Sequence, residues 1–168
     1  WFLLLQIGMF GVFLANDLIL FFIFFEITLI PTFFLIAIWG YKGREKSANQ
    51  FLIYNGVGSA IMLVAFMILV ATVGFQSDMQ EDGRVAFSYS GDLETIEHNM
   101  NADESYANIP PEFFPNNPFY MSDSLKWLVF IMLLVAFGIK LPIFPFHTWM
   151  LRVHSEAPPS VVMIHSGI

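Results

Sequence analysis

An acid and an amine stand in this sequence where charge is costly. Glu26 lies inside the apolar run from Leu18 to about Trp39, and Lys140 closes an apolar run that begins at Leu125. A charged side chain at the centre of a membrane helix costs about 2.5–3.5 kcal/mol on insertion scales, so such residues face a cavity or a partner. A carboxylate and an ammonium held away from water can coordinate an ion or exchange a proton. Desolvation favours a neutral amine and a nearby carboxylate favours a charged one. A carboxylate that moves or is neutralised therefore switches the amine between holding and releasing its proton. The alternatives are bland: Glu26 as a structural acid bonded to a neighbouring helix, and Lys140 snorkelling to the surface.

The surroundings of Lys140 favour chemistry. Pro142 and Pro145 follow it at once, and proline removes helix hydrogen bonds and bends the chain. Broken helix at membrane depth is tolerated only where protein buries it or where it lines a watery cavity. His147 and His154 come next, seven residues apart and on one face if helical, and His165 follows. Histidine is the residue type whose charge changes near neutral pH, so His147 and His154 are candidates for a proton path. Trp149 beside His147 fits interfacial anchoring equally well. No third ligand has the spacing for a metal site. The Phe21–Phe25 stretch reads as lipid-facing or packing surface. Gly56 and Gly58, with Ser59 and Ala60, read as a close helix contact, and Asn55 as an interhelical hydrogen bonder.

The elements that must position these groups are helices. Of the 168 residues 57% are hydrophobic, the mean hydropathy is +0.65, and there are 20 Phe and no Cys. Soluble domains run nearer about 45–50% apolar, so a bilayer is the natural solvent. The absence of cysteine excludes thiolate-ligated iron–sulfur clusters, thiolate zinc and attached haem within these residues. Nothing basic points to nucleic acid. The apolar runs predict helices at about 1–16, 18–39, 48–75 and 125–147, with a truncated one at 161–168. Residues 76–124 read as an acidic loop with a short helix near Asp92–Asn99. The chain starts and stops within apolar runs and reads as an internal fragment of a longer protein.

Charge placement orients the bundle. The net charge is −7, yet ten of the 14 acidic residues fall between Phe75 and Leu125, where the only Lys or Arg is Arg84. Lys42, Arg44 and Lys46 occupy one short loop and Arg152 another. The positive-inside rule puts loops 40–50 and 147–160 in the cytoplasm and loop 76–124 outside it. The 18–39 and 125–147 helices run in the same direction. Glu26 then lies about 14 Å deep and Lys140 about 22 Å deep at about 1.5 Å per residue. Tilt, side-chain reach and the proline break must close the remaining offset of about 8 Å.

Two stretches resemble a known family. One is Phe24-Phe25-Glu26-Ile27-Thr28-Leu29-Ile30-Pro31, continuing to Ile38-Trp39-Gly40. The other is Ile139-Lys140-Leu141-Pro142-Ile143-Phe144-Pro145-Phe146-His147-Thr148-Trp149, then His154-Ser155-Glu156-Ala157-Pro158. Together they resemble the antiporter-like subunits of proton-pumping NADH:quinone oxidoreductase (respiratory complex I), the M-type or chain 4 subunit most of all. The resemblance covers everything but the 76–124 loop. It implies an all-α, polytopic transmembrane bundle with one proline-broken helix, part of a protein of about fourteen helices. It implies that Glu26 is the family's intramembrane glutamate and Lys140 its proton-carrying lysine. By the same resemblance His147 and His154 lie on the route between cytoplasm and central channel.

The function implied is proton translocation through a buried Glu/Lys relay, driven by redox chemistry elsewhere in a translocase. NADH, flavin, iron–sulfur clusters and quinone would sit on partner subunits, and this chain would hold no cofactor and no metal. Its partners would be other membrane subunits, including neighbouring antiporter-like ones, and the lipid bilayer. Two other readings compete. A sodium/proton antiporter subunit or a membrane-bound hydrogenase subunit would share the same helices. A non-transporting scaffold would keep its activity after Glu26→Gln or Lys140→Ala.

Overall fold

The structure is a computed structural model that describes residues 1–79, 85–115 and 117–167. It is mostly helical. Helix α1 runs Phe2–Leu14, α2 Leu18–Trp39 and α3 Arg44–Val73. A two-stranded hairpin follows, β1 Phe75–Met79 and β2 Val85–Tyr89, then α4 Leu93–Asn101. Helices α5 Asp123–Lys140, α6 Thr148–Glu156 and α7 Pro159–Gly167 complete the order.

Each start has a local cause. Asp17 caps α2, its Oδ1 accepting from the Ile19 and Leu20 amides at 2.8 and 3.0 Å, which satisfies two of the helix's orphan donors. Ser122 does the same for α5 through the Leu125 amide at 3.3 Å. Helix α3 starts at Arg44 rather than at the expected 48, because Arg44-Glu45-Lys46 are good helix formers. Glu156 also places a carboxylate at that N-terminus, accepting from the Gly43 amide at 2.8 Å, where the helix dipole favours negative charge. Helix α2 continues through Pro31 without ending there. Helices α2 and α3 are long and apolar enough to cross a bilayer.

The expected 125–147 helix ends at Lys140. Residues 141–147 form turns in which the Phe144–Pro145 peptide is cis. The stretch read as a polar link instead carries α6. The 76–124 segment is also more ordered than a loop. It holds the short helix expected near Asp92–Asn99, as α4, and in addition the antiparallel β1–β2 hairpin, in which Phe75 pairs with Tyr89 and Ser77 with Phe87. Aromatic rings gather beneath the hairpin: Phe75 lies 4.6 Å from Phe119, and Phe87 5.8 Å from Tyr106, centroid to centroid. Residues 80–84 and 116 of that segment lie outside the described residues.

Two apolar cores form. One joins Leu18, Met62, Phe66, Val73, Phe75, Ile96, Phe119 and Val129. The other joins Leu5, Leu35, Ile36, Phe51, Trp149, Val153 and Val161. On α2, Glu26 falls between Leu18 of the first core and Leu35 of the second. On α3, Ser59 falls between Phe51 of the second and Met62 of the first. The polar site lies at the seam.

Candidate functional site at the break of α5

The break of α5 can be followed bond by bond. Pro142 has no amide to give the Gly138 carbonyl, so the Ile143 amide takes that oxygen instead, at 2.9 Å. The Ile139 carbonyl thereby loses Ile143, its regular helical partner. The Trp149 indole Nε1–H donates to it at 2.9 Å, from a ring that is 1% exposed. The proline break therefore leaves both carbonyls satisfied, as buried backbone requires. A tryptophan from α6 thus supplies a donor that the interrupted helix no longer provides. Lys140 sits at the stabilised end, the last residue of α5, where a cation suits the negative pole of the helix.

Helix α3 supplies the second wall. A Cβ on Gly58 would stand 3.3 Å from the Ala136 carbonyl oxygen and 3.3 Å from the Ile139 side chain. Only glycine lets α3 approach α5 this closely without displacing something. Gly56, by contrast, has nothing within 4 Å of such a Cβ, so the expected close contact belongs to Gly58 alone of the two. Asn55 was expected to bond across helices. Its Nδ2 donates instead to its own helix, to the Phe51 carbonyl at 2.9 Å.

Next to Gly58, Ser59 is buried and joins both charged groups. The Lys140 ammonium Nζ donates to Ser59 Oγ at 2.8 Å. The Ser59 hydroxyl in turn donates to Glu26 Oε1. Lys140 Nζ lies 3.6 Å from the same Glu26 oxygen. The offset of about 8 Å reckoned from helix rise therefore does not keep the two head groups apart. The Lys140 side chain is 6% exposed and that of Glu26 32%. Nζ also stands 4.1 Å from the centroid of the Phe25 ring, a cation over an aromatic face.

The structure thus brings Glu26 and Lys140 together, with Ser59 between them and Phe25 beneath. It does not bring in the histidines. His147 is the residue before α6 and His154 lies in its last turn, two turns apart. Neither is hydrogen-bonded to Glu26, Ser59 or Lys140 among the described residues. His147 packs on Phe144, with ring centroids 5.7 Å apart. The side chain of His165 lies outside the described residues.

Phe25 and Ser59 escaped the sequence reading as site residues. By sequence Phe25 reads as packing surface and Ser59 as a small contact residue. The one available signal for Ser59 was its hydroxyl in an apolar run one turn after Asn55.

Beside the pair lies a cavity of about 320 Å³ whose walls include Met9, Thr28, Asn55, Phe137 and Lys140. Its lining is mostly apolar, with Thr28, Thr32, Asn55 and Lys140 as the polar members. No group of acids and histidines that could hold a metal ion occurs among the described residues. What the arrangement can do is hold an ion pair through an exchangeable hydroxyl, with the ammonium and hydroxyl buried and the carboxylate partly exposed, at the point where a helix is interrupted.

Comparison with known proteins gives this geometry a context. The chain is 38% identical over 161 residues to NAD(P)H-quinone oxidoreductase chain 4 of Gloeobacter violaceus, covering 96% of this chain and 24% of that protein. It is 34% identical over 167 residues to NADH-quinone oxidoreductase subunit M of Rhodobacter capsulatus, covering 99% of this chain and 28% of that protein. The chain thus spans about a quarter of the length of these relatives. Among solved structures it is similar to a chain of respiratory complex I from Thermus thermophilus with bound NADH. That match has a TM-score of 0.67 and 26% identity over 94% of this chain and 28% of the other. The fold is also shared with a chain of the membrane-bound sulfane sulfur reductase, an archaeal respiratory membrane complex, at a TM-score of 0.70 and 19% identity. Residues 15–168, nearly the whole chain, match one family, and the chain belongs to it: the NADH:quinone oxidoreductase/Mrp antiporter transmembrane family.

Proposed function

We propose that this chain is the part of an M-type (chain 4) membrane subunit of NADH:quinone oxidoreductase in which a proton is held and released by Glu26 and Lys140. The observation that carries the reading is the carboxylate–hydroxyl–ammonium chain at the end of a broken helix. An ion pair whose ammonium is buried is a poor stabiliser, since desolvation can exceed the attraction gained. A pair that costs stability and sits at a helix break is better understood as a working part. Names of relatives at 34–38% identity point the same way.

In this reading Lys140 holds a proton while the pair is charged, and gives it up when the pair becomes neutral by transfer to Glu26 or when the carboxylate is withdrawn. Moving one charge across 100 mV takes about 2.3 kcal/mol. The work comes from quinone reduction in partner subunits, which carry NADH, flavin, iron–sulfur clusters and quinone. The chain itself binds no cofactor and contacts other membrane subunits, antiporter-like neighbours among them. His147 and His154 stand on the route by which protons arrive from the cytoplasm, with α6 on the cytoplasmic side of a plasma membrane. The Mrp antiporter in the family's description supports a second reading, exchange of sodium for protons.

The test is proton pumping by the full complex in closed vesicles, driven by NADH. Glu26→Gln and Lys140→Ala should each abolish or severely reduce pumping in membranes that contain normal amounts of assembled complex. Wild-type pumping by both variants would leave the chain a scaffold. Pumping that requires sodium would favour the exchange reading.

A further inference from the structure

We infer that Ser59 is a third member of the relay, the hydroxyl through which the proton passes between Lys140 and Glu26. The inference rests on the relay reading above and adds to it a residue, a direction and a reset.

Distance decides the route. A direct N–H···O bond needs a separation of about 2.7–3.2 Å. Lys140 Nζ is 3.6 Å from Glu26 Oε1, outside that range. The same nitrogen is 2.8 Å from Ser59 Oγ, and Ser59 is hydrogen-bonded onward to Glu26 Oε1. The bonded path between base and acid therefore runs through the hydroxyl. A hydroxyl suits this position because it donates one proton and accepts others at the same atom. Its burial, at 5% exposure, keeps bulk water from competing for those bonds.

The transfer balances. One N–H bond of the Lys140 ammonium breaks as a new O–H bond forms on Ser59 Oγ. The original Ser59 O–H bond breaks as an O–H bond forms on Glu26 Oε1. The ammonium and the carboxylate become a neutral amine and a carboxylic acid, and serine ends with one proton, as it began. That proton now points at Lys140. Before a second transfer in the same direction the hydroxyl must turn about its Cβ–Oγ bond back toward Glu26. The helices constrain where this happens: Gly58 fixes the approach of α3 to α5, so Ser59 is held at the seam while only its proton moves.

The experiment compares Ser59→Ala, Ser59→Cys and Ser59→Thr in the complete complex, measuring NADH-driven proton pumping per assembled complex in closed vesicles. Ser59→Ala, which removes the hydroxyl, should slow pumping by about a hundredfold, the low end of what positioned proton transfer contributes. Ser59→Thr, which keeps the hydroxyl, should restore it. Ser59→Cys supplies only a weak donor of similar size and should pump slowly, which decides the matter if the alanine variant does not assemble. Wild-type pumping by Ser59→Ala or Ser59→Cys would overturn the inference, and so would equal loss in Ser59→Thr, which would mark a packing role. Glu26→Gln and Lys140→Ala run alongside keep the two ideas apart. If those variants are inactive while Ser59→Ala pumps normally, the relay stands and the hydroxyl is not in it.

Discussion

Phe25 shows how a residue without ionisable chemistry enters a charge site. Its ring lies 4.1 Å from Lys140 Nζ, and a cation over an aromatic face gains about 0.5–2 kcal/mol, more when desolvated. In apolar surroundings few other groups can offer a charge-stabilising surface without adding a charge. Phe25→Leu keeps an apolar side chain but removes the ring face. A loss of about 1 kcal/mol in holding the ammonium should slow proton pumping about fivefold, measured per assembled complex. An unchanged rate would assign Phe25 to packing alone. Glu26 and Lys140 were legible beforehand because an ionisable group in an apolar run costs enough to need a reason. Phe25 and Ser59 were not, because an aromatic ring or a hydroxyl costs little there, and only the partner's position reveals its use.

Among the elements, α5 and α6 work as one unit. Pro142 and Pro145 made the break of α5 visible in the residues themselves. Helix α6 was not visible, since Thr148–Glu156 mixes apolar and polar residues over only two and a half turns. It becomes a helix because Trp149 and Val153 bury in the second core, and tertiary packing of this kind stabilises most short helices. The β1–β2 hairpin was equally hidden, its strands carrying Gln76, Ser77, Asp78 and Ser88 among the apolar positions. It is held by what lies around it: Asn99 donates from α4 to the Val73 and Phe75 carbonyls, each at 2.8 Å, where α3 gives way to β1.

Two element-level predictions follow from the break and the seam. Trp149→Phe keeps a ring against Phe51, whose centroid is 5.5 Å away, but removes the N–H that caps the Ile139 carbonyl. Leaving that buried acceptor unpaired should cost about 1–3 kcal/mol, seen as a lower thermal-inactivation temperature of the complex. Pumping should fall too, because Ile139 adjoins Lys140. Equal thermal stability would mean that another donor takes over the carbonyl. On α3, Gly58→Leu should drive α5 away and cost about 1–3 kcal/mol by overpacking. Gly56→Ala, in open space, should be neutral or slightly stabilising, since alanine favours helix over glycine. The two glycines, two residues apart and alike in sequence, are thus expected to respond oppositely in the same thermal assay.

At the scale of the molecule, the polar elements gather at two opposite ends of the helices. At one end the Tyr41 amide donates to the Glu156 carbonyl at 2.7 Å, and Glu156 caps the start of α3. This end carries Lys42, Arg44, Lys46 and Arg152. At the other, the Leu18 amide donates to the Gly91 carbonyl at 2.8 Å and the Leu93 amide to the Asn16 carbonyl at 3.0 Å. These bonds tie the α1–α2 turn to α4 and its acidic surroundings. Apolar side chains such as Leu3, Phe13, Leu14 and Phe144 stand exposed, as expected of a member of a transmembrane family that spans about a quarter of its relatives' length. Lysine and arginine bias, not net charge, sets orientation in a bilayer, so the basic end should face the cytoplasm. These residues contain no cysteine, and the exposed positions Lys42 and Asp103 can each carry one. With membrane-impermeant thiol labelling of intact cells, Asp103→Cys should react and Lys42→Cys should not. In inverted vesicles the order should reverse. Labelling of both from one side would break the sidedness, and with it the assignment of α6, His147 and His154 to the proton entry.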